Sequence, residues 1–200
     1  GRLHRWDIRR QKKGGNIVWV RETARAVGAG RDGMVLMTCE DIDDTYRLTE
    51  NLSFQANHDE LTGLANRKTL AKRLVQVLES AHSEDTEHTL AVIDLDQFKI
   101  VNDTCGHTAG DELLRQAARL LKTIVRKRDT LARLGGDEFA LLIEDCTMAQ
   151  AHSGIEALRQ ALESYQFVWD GRSHKVAASI GLVAVNKQCE DANAALSMAD

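Results

Sequence analysis

Proline is absent from all 200 residues, where about 5% usage would be typical; no functional reading attaches to that absence. No stretch of about 18 uncharged apolar residues occurs, so nothing in the sequence is built to span a bilayer as a helix. The chain opens Gly1-Arg2-Leu3-His4-Arg5 with no apolar run behind the basic residues, which excludes a secretory signal there. It also lacks an initiator Met, as a segment cut from a longer protein would. Cys39, Cys105, Cys146 and Cys189 are scattered, with no Cys-x-x-Cys pair. That spacing argues against a zinc site or a disulfide framework and fits reduced thiols in a cytoplasmic segment. A basic excess is missing too: 26 Lys and Arg against 30 Asp and Glu leave a net charge of −4, unlike a dedicated nucleic-acid binder. What remains, 43% apolar and 28% charged residues, excludes a disordered or fibrous chain.

The first 42 residues read as an antiparallel meander. Arg5 to Arg10 is a polar strand, Lys12 to Asn16 a glycine-containing turn, Ile17 to Val27 an alternating strand, Gly28 to Gly33 a second turn and Met34 to Cys39 a third strand. Three strands are too few to bury a core alone. From Asp41 to Asn57 the pattern turns helical. Thr45, Leu48, Leu52 and Gln55 make a thin heptad seam that fits either a paired helix or a single amphipathic linker.

A larger unit begins at His58. Asn66 to Ser80 is helical by its apolar face, Ala81 to His88 is a loop, and Thr89 to Leu95 is an apolar run that ends in acid, the mark of a buried strand. Gly110 to Lys127 has strong helical periodicity. Thr130 to Leu134 and Phe139 to Ile143 are strands around Gly135-Gly136. Thr147 to Ser164 is a helix, Tyr165 to Trp169 and Lys175 to Val185 are strands, and Ala192 to Asp200 begins another helix. The order β-α-β-β-α-β predicts an α+β fold of ferredoxin-like type, an antiparallel-containing sheet with helices on one face.

Two acidic spots carry chemistry. Asp94 and Asp96 lie at the end of the buried strand, and Asp137 and Glu138 follow the two glycines of the hairpin. If the hairpin lies beside the strand, Asp137 approaches Asp94. Converging carboxylates repel unless a cation lies between them, and oxygen ligands suit Mg²⁺; solvated turn acids are the other reading. Between the spots, Gln97 to His107 is a polar loop rich in donors. An Asn such as Asn102 with an Asp such as Asp111 can read a guanine edge, although Asp111 also suits a helix start.

Several of these segments together resemble one family. Asp94-Leu95-Asp96-Gln97-Phe98-Lys99-Ile100-Val101-Asn102-Asp103, Gly106-His107, Gly110-Asp111 and Arg133-Leu134-Gly135-Gly136-Asp137-Glu138-Phe139 are similar to the GGDEF domain of diguanylate cyclases, and His58 to Arg67 resembles that family's opening signature. The resemblance covers residues 58–200 and implies a nucleotidyl-cyclase palm. It also implies a transferase that condenses two GTP into cyclic di-GMP, releasing pyrophosphate, with two domains facing each other in a homodimer.

Carried over residue by residue, it implies that Asp94, Asp137 and the Leu95 carbonyl hold Mg²⁺, with Mn²⁺ as a substitute, and that Asp137 helps deprotonate the ribose 3′-hydroxyl while Glu138 assists. It places Asn102 and Asp111 on guanine, Lys99 near the phosphates, His107 in support of the loop, and Gly135 and Gly136 against the substrate. Arg126 and Asp129 resemble the Arg-x-x-Asp site through which product inhibits the family, and the spacing favours that over the other reading, a basic helix C-terminus. Residues 1–44, through Lys12 to Val20 and Glu40 to Asp43, resemble the C-terminal strands of a PAS sensor domain, with 45–57 as a linker helix. A second function fits the same motifs: a non-catalytic GTP-binding module that regulates a cyclic di-GMP phosphodiesterase domain further along the parent chain. The family's next helix, with basic phosphate contacts, is expected beyond Asp200.

Overall fold

The computed structural model of the chain describes residues 2–27, 34–189, 191, 192 and 195. Two compact units divide at residues 56 and 57.

In the first unit, β1 (Leu3–Gln11), β2 (Ile17–Val27) and β3 (Met34–Asp41) form an antiparallel sheet in the order β1-β2-β3. The first turn closes at Gly15, whose φ of 87° favours glycine. The turn expected over 28–33 lies outside the described residues. β2 buries Val18, Val20 and Glu22, and Glu22 accepts hydrogen bonds from Trp6 and Arg10. Every residue of β3 is exposed. Helix α1 (Asp43–Asn57) starts where Asp43 accepts the Trp19 amide and Tyr46 stacks on the Trp19 ring, centroids 4.2 Å apart. None of its residues is buried, Leu48 and Leu52 of the heptad seam included.

The second unit follows in the order β4 (Ala65–Asn66), α2 (Arg67–Glu84), β5 (His88–Asp96), α3 (Phe98–Cys105), α4 (His107–Ile124), β6 (Thr130–Gly135), β7 (Glu138–Ile143), α5 (Met148–Ser164), β8 (Gln166–Trp169), β9 (Arg172–Lys175) and β10 (Ala177–Val185). Its main sheet has the order β10-β5-β7-β6-β4, with only the β4–β6 pair parallel. Helix ends follow local chemistry. Asn66 caps α2 by accepting the Thr69 amide, and Thr147 with Gln150 forms a capping box on α5. Among the described residues no helix is long and apolar enough to cross a membrane, and all four cysteines are free thiols.

The structure departs from the sequence expectation in four ways. Helices cover both faces of the sheet, not one. Leu113, Leu114, Ala117 and Leu121 of α4 pack with α5 against Ile93, Phe139 and Leu141, whereas Leu70, Leu74 and Val77 of α2 pack on Leu90, Ala140 and Leu142 of the other face. The first half of the loop expected over 81–88 is the last turn of α2, which runs to Glu84 and is capped by Asp85 in the left-handed region. Residues 98–105, read as polar loop, form α3. Arg172–Lys175 form a separate strand ahead of β10, which holds nearly all of the expected strand 175–185, and β8 and β9 pair only with each other. Of the helix expected over 192–200, only residues 192 and 195 are described.

Candidate functional site

The site is built at one end of β5. Its apolar run is buried on both faces until Asp94, the first exposed residue. β7 runs antiparallel beside it, with Asp94 opposite Glu138 in the register, and the Leu95 amide donates to the Asp137 carbonyl at 3.3 Å. Strand pairing therefore delivers the glycine hairpin to the acidic strand end. Gly135 and Gly136 have φ of 151° and 50°, and a Cβ on either would meet nothing within 4 Å. The turn is thus open to an approaching ligand, and Gly136 sits in backbone space that a larger residue enters only with strain.

Partial burial pushes the Asp94 carboxyl above its ordinary value, and the neighbouring Asp137 and Asp96 carboxylates push it the same way. Asp96 is tied to the Ser179 hydroxyl. Among the described residues no Lys, Arg or His forms an ion pair with Asp94, Asp96, Asp137 or Glu138. Nor do three or more Asp, Glu, His or Cys side chains form a ready metal cage. Two facing carboxylates and nearby backbone oxygen make instead an open site, of the kind Mg²⁺ occupies when a phosphate and water complete its shell. The donor set fits that ion.

A stability prediction follows. Asp94 binds its proton more readily in the folded chain than in the unfolded one, so its contribution is fully present at low pH and is lost as pH rises through the raised value. At neutral pH the ionised group opposes folding. Asp94→Asn is expected to raise the metal-free melting temperature and, on the reading that Mg²⁺ binds here, to abolish the rise that the ion produces in the unaltered chain. Thermal scans with and without the ion check both signs.

Beside the acids, Gln97 enters α3 in the left-handed region at φ 61° with no side-chain cap. α3 presents Lys99, exposed, and Asn102, half-buried; Gly106, at φ 85°, links it to α4, which opens with the exposed His107. Asp111 is exposed on the second turn of α4. Asn102 lies against Gly110 so closely that a Cβ there would fall 2.0 Å from its Oδ1. One helix junction therefore carries Asn102, His107 and Asp111 together, adjoining the acidic end of β5.

Arg126 and Asp129 are elsewhere. α4 ends at Ile124, three residues short of the expected Lys127, because Val125 turns to extended backbone. With about 1.5 Å of rise per residue, that end lies about 20 Å from Asp111. The Asp129 amide donates to the Arg126 carbonyl at 3.1 Å, so the segment is a turn and not a helix end. Arg126 is exposed, whereas only 4% of the Asp129 side chain is accessible and its Oδ1 accepts the Glu144 amide. A cleft of about 550 Å³ opens here, with His58, Lys122, Arg126 and Lys127 in its wall.

One residue that sequence reasoning assigned no role holds the hairpin. The Arg133 guanidinium donates twice to the Gly136 carbonyl, at 3.0 and 2.7 Å, and twice to the Asp59 carboxylate, at 3.1 and 3.0 Å. Burial alone would push the Asp59 carboxyl up, but hydrogen bonds from Thr62 and Arg133 outweigh it and hold it below the usual carboxylate range. The fork of Arg is what lets one side chain serve both partners. Arg133→Lys is expected to keep the Asp59 pair and release Gly136, with a stability loss of about 1 kcal/mol that urea denaturation measures.

A five-stranded sheet with paired acids at the end of a central strand and a glycine hairpin against them is the build of a nucleotidyl-cyclase palm. The sequence profile of the family described as "Diguanylate cyclase, GGDEF domain" matches residues 56–200. The chain belongs to this family. It is 41% identical over 165 residues to the probable diguanylate cyclase DgcE of Escherichia coli, covering 82% of this chain and 15% of that protein. It is 42% identical over 137 residues to the bifunctional diguanylate cyclase/cyclic di-GMP phosphodiesterase MucR of Pseudomonas aeruginosa, covering 68% and 20%. The crystal structure of the coiled coil and GGDEF domain of DgcB from Caulobacter crescentus, in complex with c-di-GMP, superposes with a TM-score of 0.71 at 28% identity, covering 78% of this chain and 85% of that one. The chain thus spans a fifth or less of the length of those two sequence relatives.

Proposed function

We propose that this chain carries a diguanylate cyclase domain that joins two GTP into cyclic di-GMP with loss of two pyrophosphates. The observation that supports it most is the convergence of Asp94 and Asp137 at the open end of β5 with no cationic side chain between them. In this reading Asp94, Asp137 and the Leu95 carbonyl hold Mg²⁺ through hard oxygen donors. The bound ion supplies charge neutralisation on the triphosphate and activation of the attacking 3′-oxygen. Asp137 accepts the ribose 3′-hydroxyl proton, with Glu138 beside it. Asp111 accepts from the guanine ring N–H and amino group, and Asn102 donates to a ring acceptor. Lys99 faces the phosphates, His107 supports the helix junction, and Gly135 and Gly136 let the triphosphate lie against the backbone.

One domain holds one GTP, so turnover requires a homodimer with two such sites face to face. Product inhibition in this reading acts at the Arg126 cleft. It leans on Arg126, with Lys122 and Lys127 nearby, because only 4% of the Asp129 side chain is accessible. The sheet of the first unit is read as the C-terminal part of a PAS-like sensor. An apolar strand exposed along its whole length, as β3 is with Met34, Val35, Leu36 and Met37, is what a sheet shows when its packing partner lies in another segment.

Incubation with GTP and Mg²⁺, followed by chromatographic detection of cyclic di-GMP, tests the proposal. Product supports the cyclase. GTP bound without product supports the second reading, a regulatory module for a phosphodiesterase domain, to which the bifunctional name of MucR lends weight.

A further inference from the structure

We propose that the β8–β9 hairpin positions the guanine-reading helix junction, with His174 as the positioning residue acting through Cys105. The inference rests on the reading of Asn102 and Asp111 as the guanine site. Asp170 and Gly171, both at positive φ of 46° and 75°, fold the hairpin tightly, and it pairs with no other strand among the described residues. Phe167 is completely buried in the main core and anchors it there. Directly across the ladder stands His174, so the two share one face, with ring centroids 6.2 Å apart. His174 Nε2 then lies 3.4 Å from Cys105 Sγ, a hydrogen-bonding contact across 69 residues of sequence.

Cys105 is the last residue of α3, and the next amide, Gly106, closes that helix on the Asn102 carbonyl at 2.9 Å. The contact therefore grips the helix one turn after the residue that would read guanine. α3 needs such a grip. It has eight residues, buries only Val101 and has no side-chain cap at its start, and a helix that short is marginal without tertiary support. The side chain of Asn102 meets Gly110 on one side, and the Cys105–His174 contact fixes the backbone behind it. The hairpin is thus a brace for the helix that carries Asn102.

The test is the affinity of the chain for non-hydrolysable analogues of GTP and of inosine triphosphate, which lacks the amino group. His174→Ala, His174→Gln, Cys105→Val and Asn102→Ala are compared with the unaltered chain. His174→Ala is expected to weaken GTP-analogue binding about fivefold, as the loss of one modest hydrogen bond does. It should also narrow the preference for guanine over hypoxanthine, and His174→Gln should restore most of both. Cys105→Val, which keeps bulk and removes the polar partner, should match His174→Ala and serves in its place if that variant does not fold. Folded His174→Ala or Cys105→Val with unchanged affinity and preference would overturn the inference while Asn102→Ala still weakens binding. Asn102→Ala binding like the unaltered chain would instead remove the guanine site itself, and the inference with it.

Discussion

Replacing Asp137 by Ala is expected to abolish the proposed synthesis of cyclic di-GMP, with turnover down at least about a thousandfold and the fold retained. The size follows from what the side chain does at once. In the proposed reading it is half of a two-carboxylate cation site and the acceptor for the 3′-hydroxyl proton, and single electrostatic groups in active sites are commonly worth a hundredfold to about a thousandfold each. Its loss does not threaten folding. Asp137 lies in the open turn immediately before β7, and its backbone carbonyl, which receives the Leu95 amide, survives the substitution. Removing one of two facing carboxylates also relieves the repulsion that raises Asp94. The variant is therefore expected to melt no lower than the unaltered chain in metal-free buffer. A product assay and a thermal scan on the same preparation check both halves.

Gly110→Ala separates binding from folding in another way. The added Cβ would fall 2.0 Å from Asn102 Oδ1, 2.9 Å from its Cγ and 3.1 Å from Phe98 Cζ, distances at which the Asn102 side chain has to leave its place. Alanine favours a helix over glycine by about 1 kcal/mol, which offsets much of the local strain, so stability should change little. In the proposed reading the base pocket, by contrast, loses its donor to guanine and gains a displaced amide. A loss of about 2 kcal/mol in binding, close to a thirtyfold weaker Kd for GTP, is the expected result, measured by calorimetry with a non-hydrolysable analogue. Wild-type affinity in this variant would mean that Asn102 does not face the base.

The candidate site residues lie in short contiguous segments, and for that reason the convergence of the two acidic spots was legible. Asp94 to Asp103 and Arg133 to Phe139 each bring several polar groups together within one strand end or one turn, and antiparallel pairing of the two strands does the rest. Strands β2 and β7 and helices α2, α4 and α5 were readable because each holds an unbroken periodicity over enough residues. α3 was not, because one buried residue and no cap leave an eight-residue helix without a signal. The β8–β9 hairpin looked like part of the main sheet because local patterning does not say which strands pair. The second helical layer had a visible sign: the continuous apolar run of β5 is that of a strand covered on both faces, which a single helical layer cannot do. Arg133 and Asp59 are 74 positions apart, and Cys105 and His174 are 69 apart. Only the folded chain joins such pairs.

The central claim is that one end of β5 and the α3–α4 junction form a single nucleotide site. A crystal structure with Mn²⁺ and a non-hydrolysable GTP analogue, its ion located by anomalous scattering, tests this most directly. The account predicts Mn²⁺ between the Asp94 and Asp137 carboxylates and guanine against Asn102 and Asp111. Mn²⁺ bound away from both carboxylates, or a base seated away from Asn102 and Asp111, would contradict it.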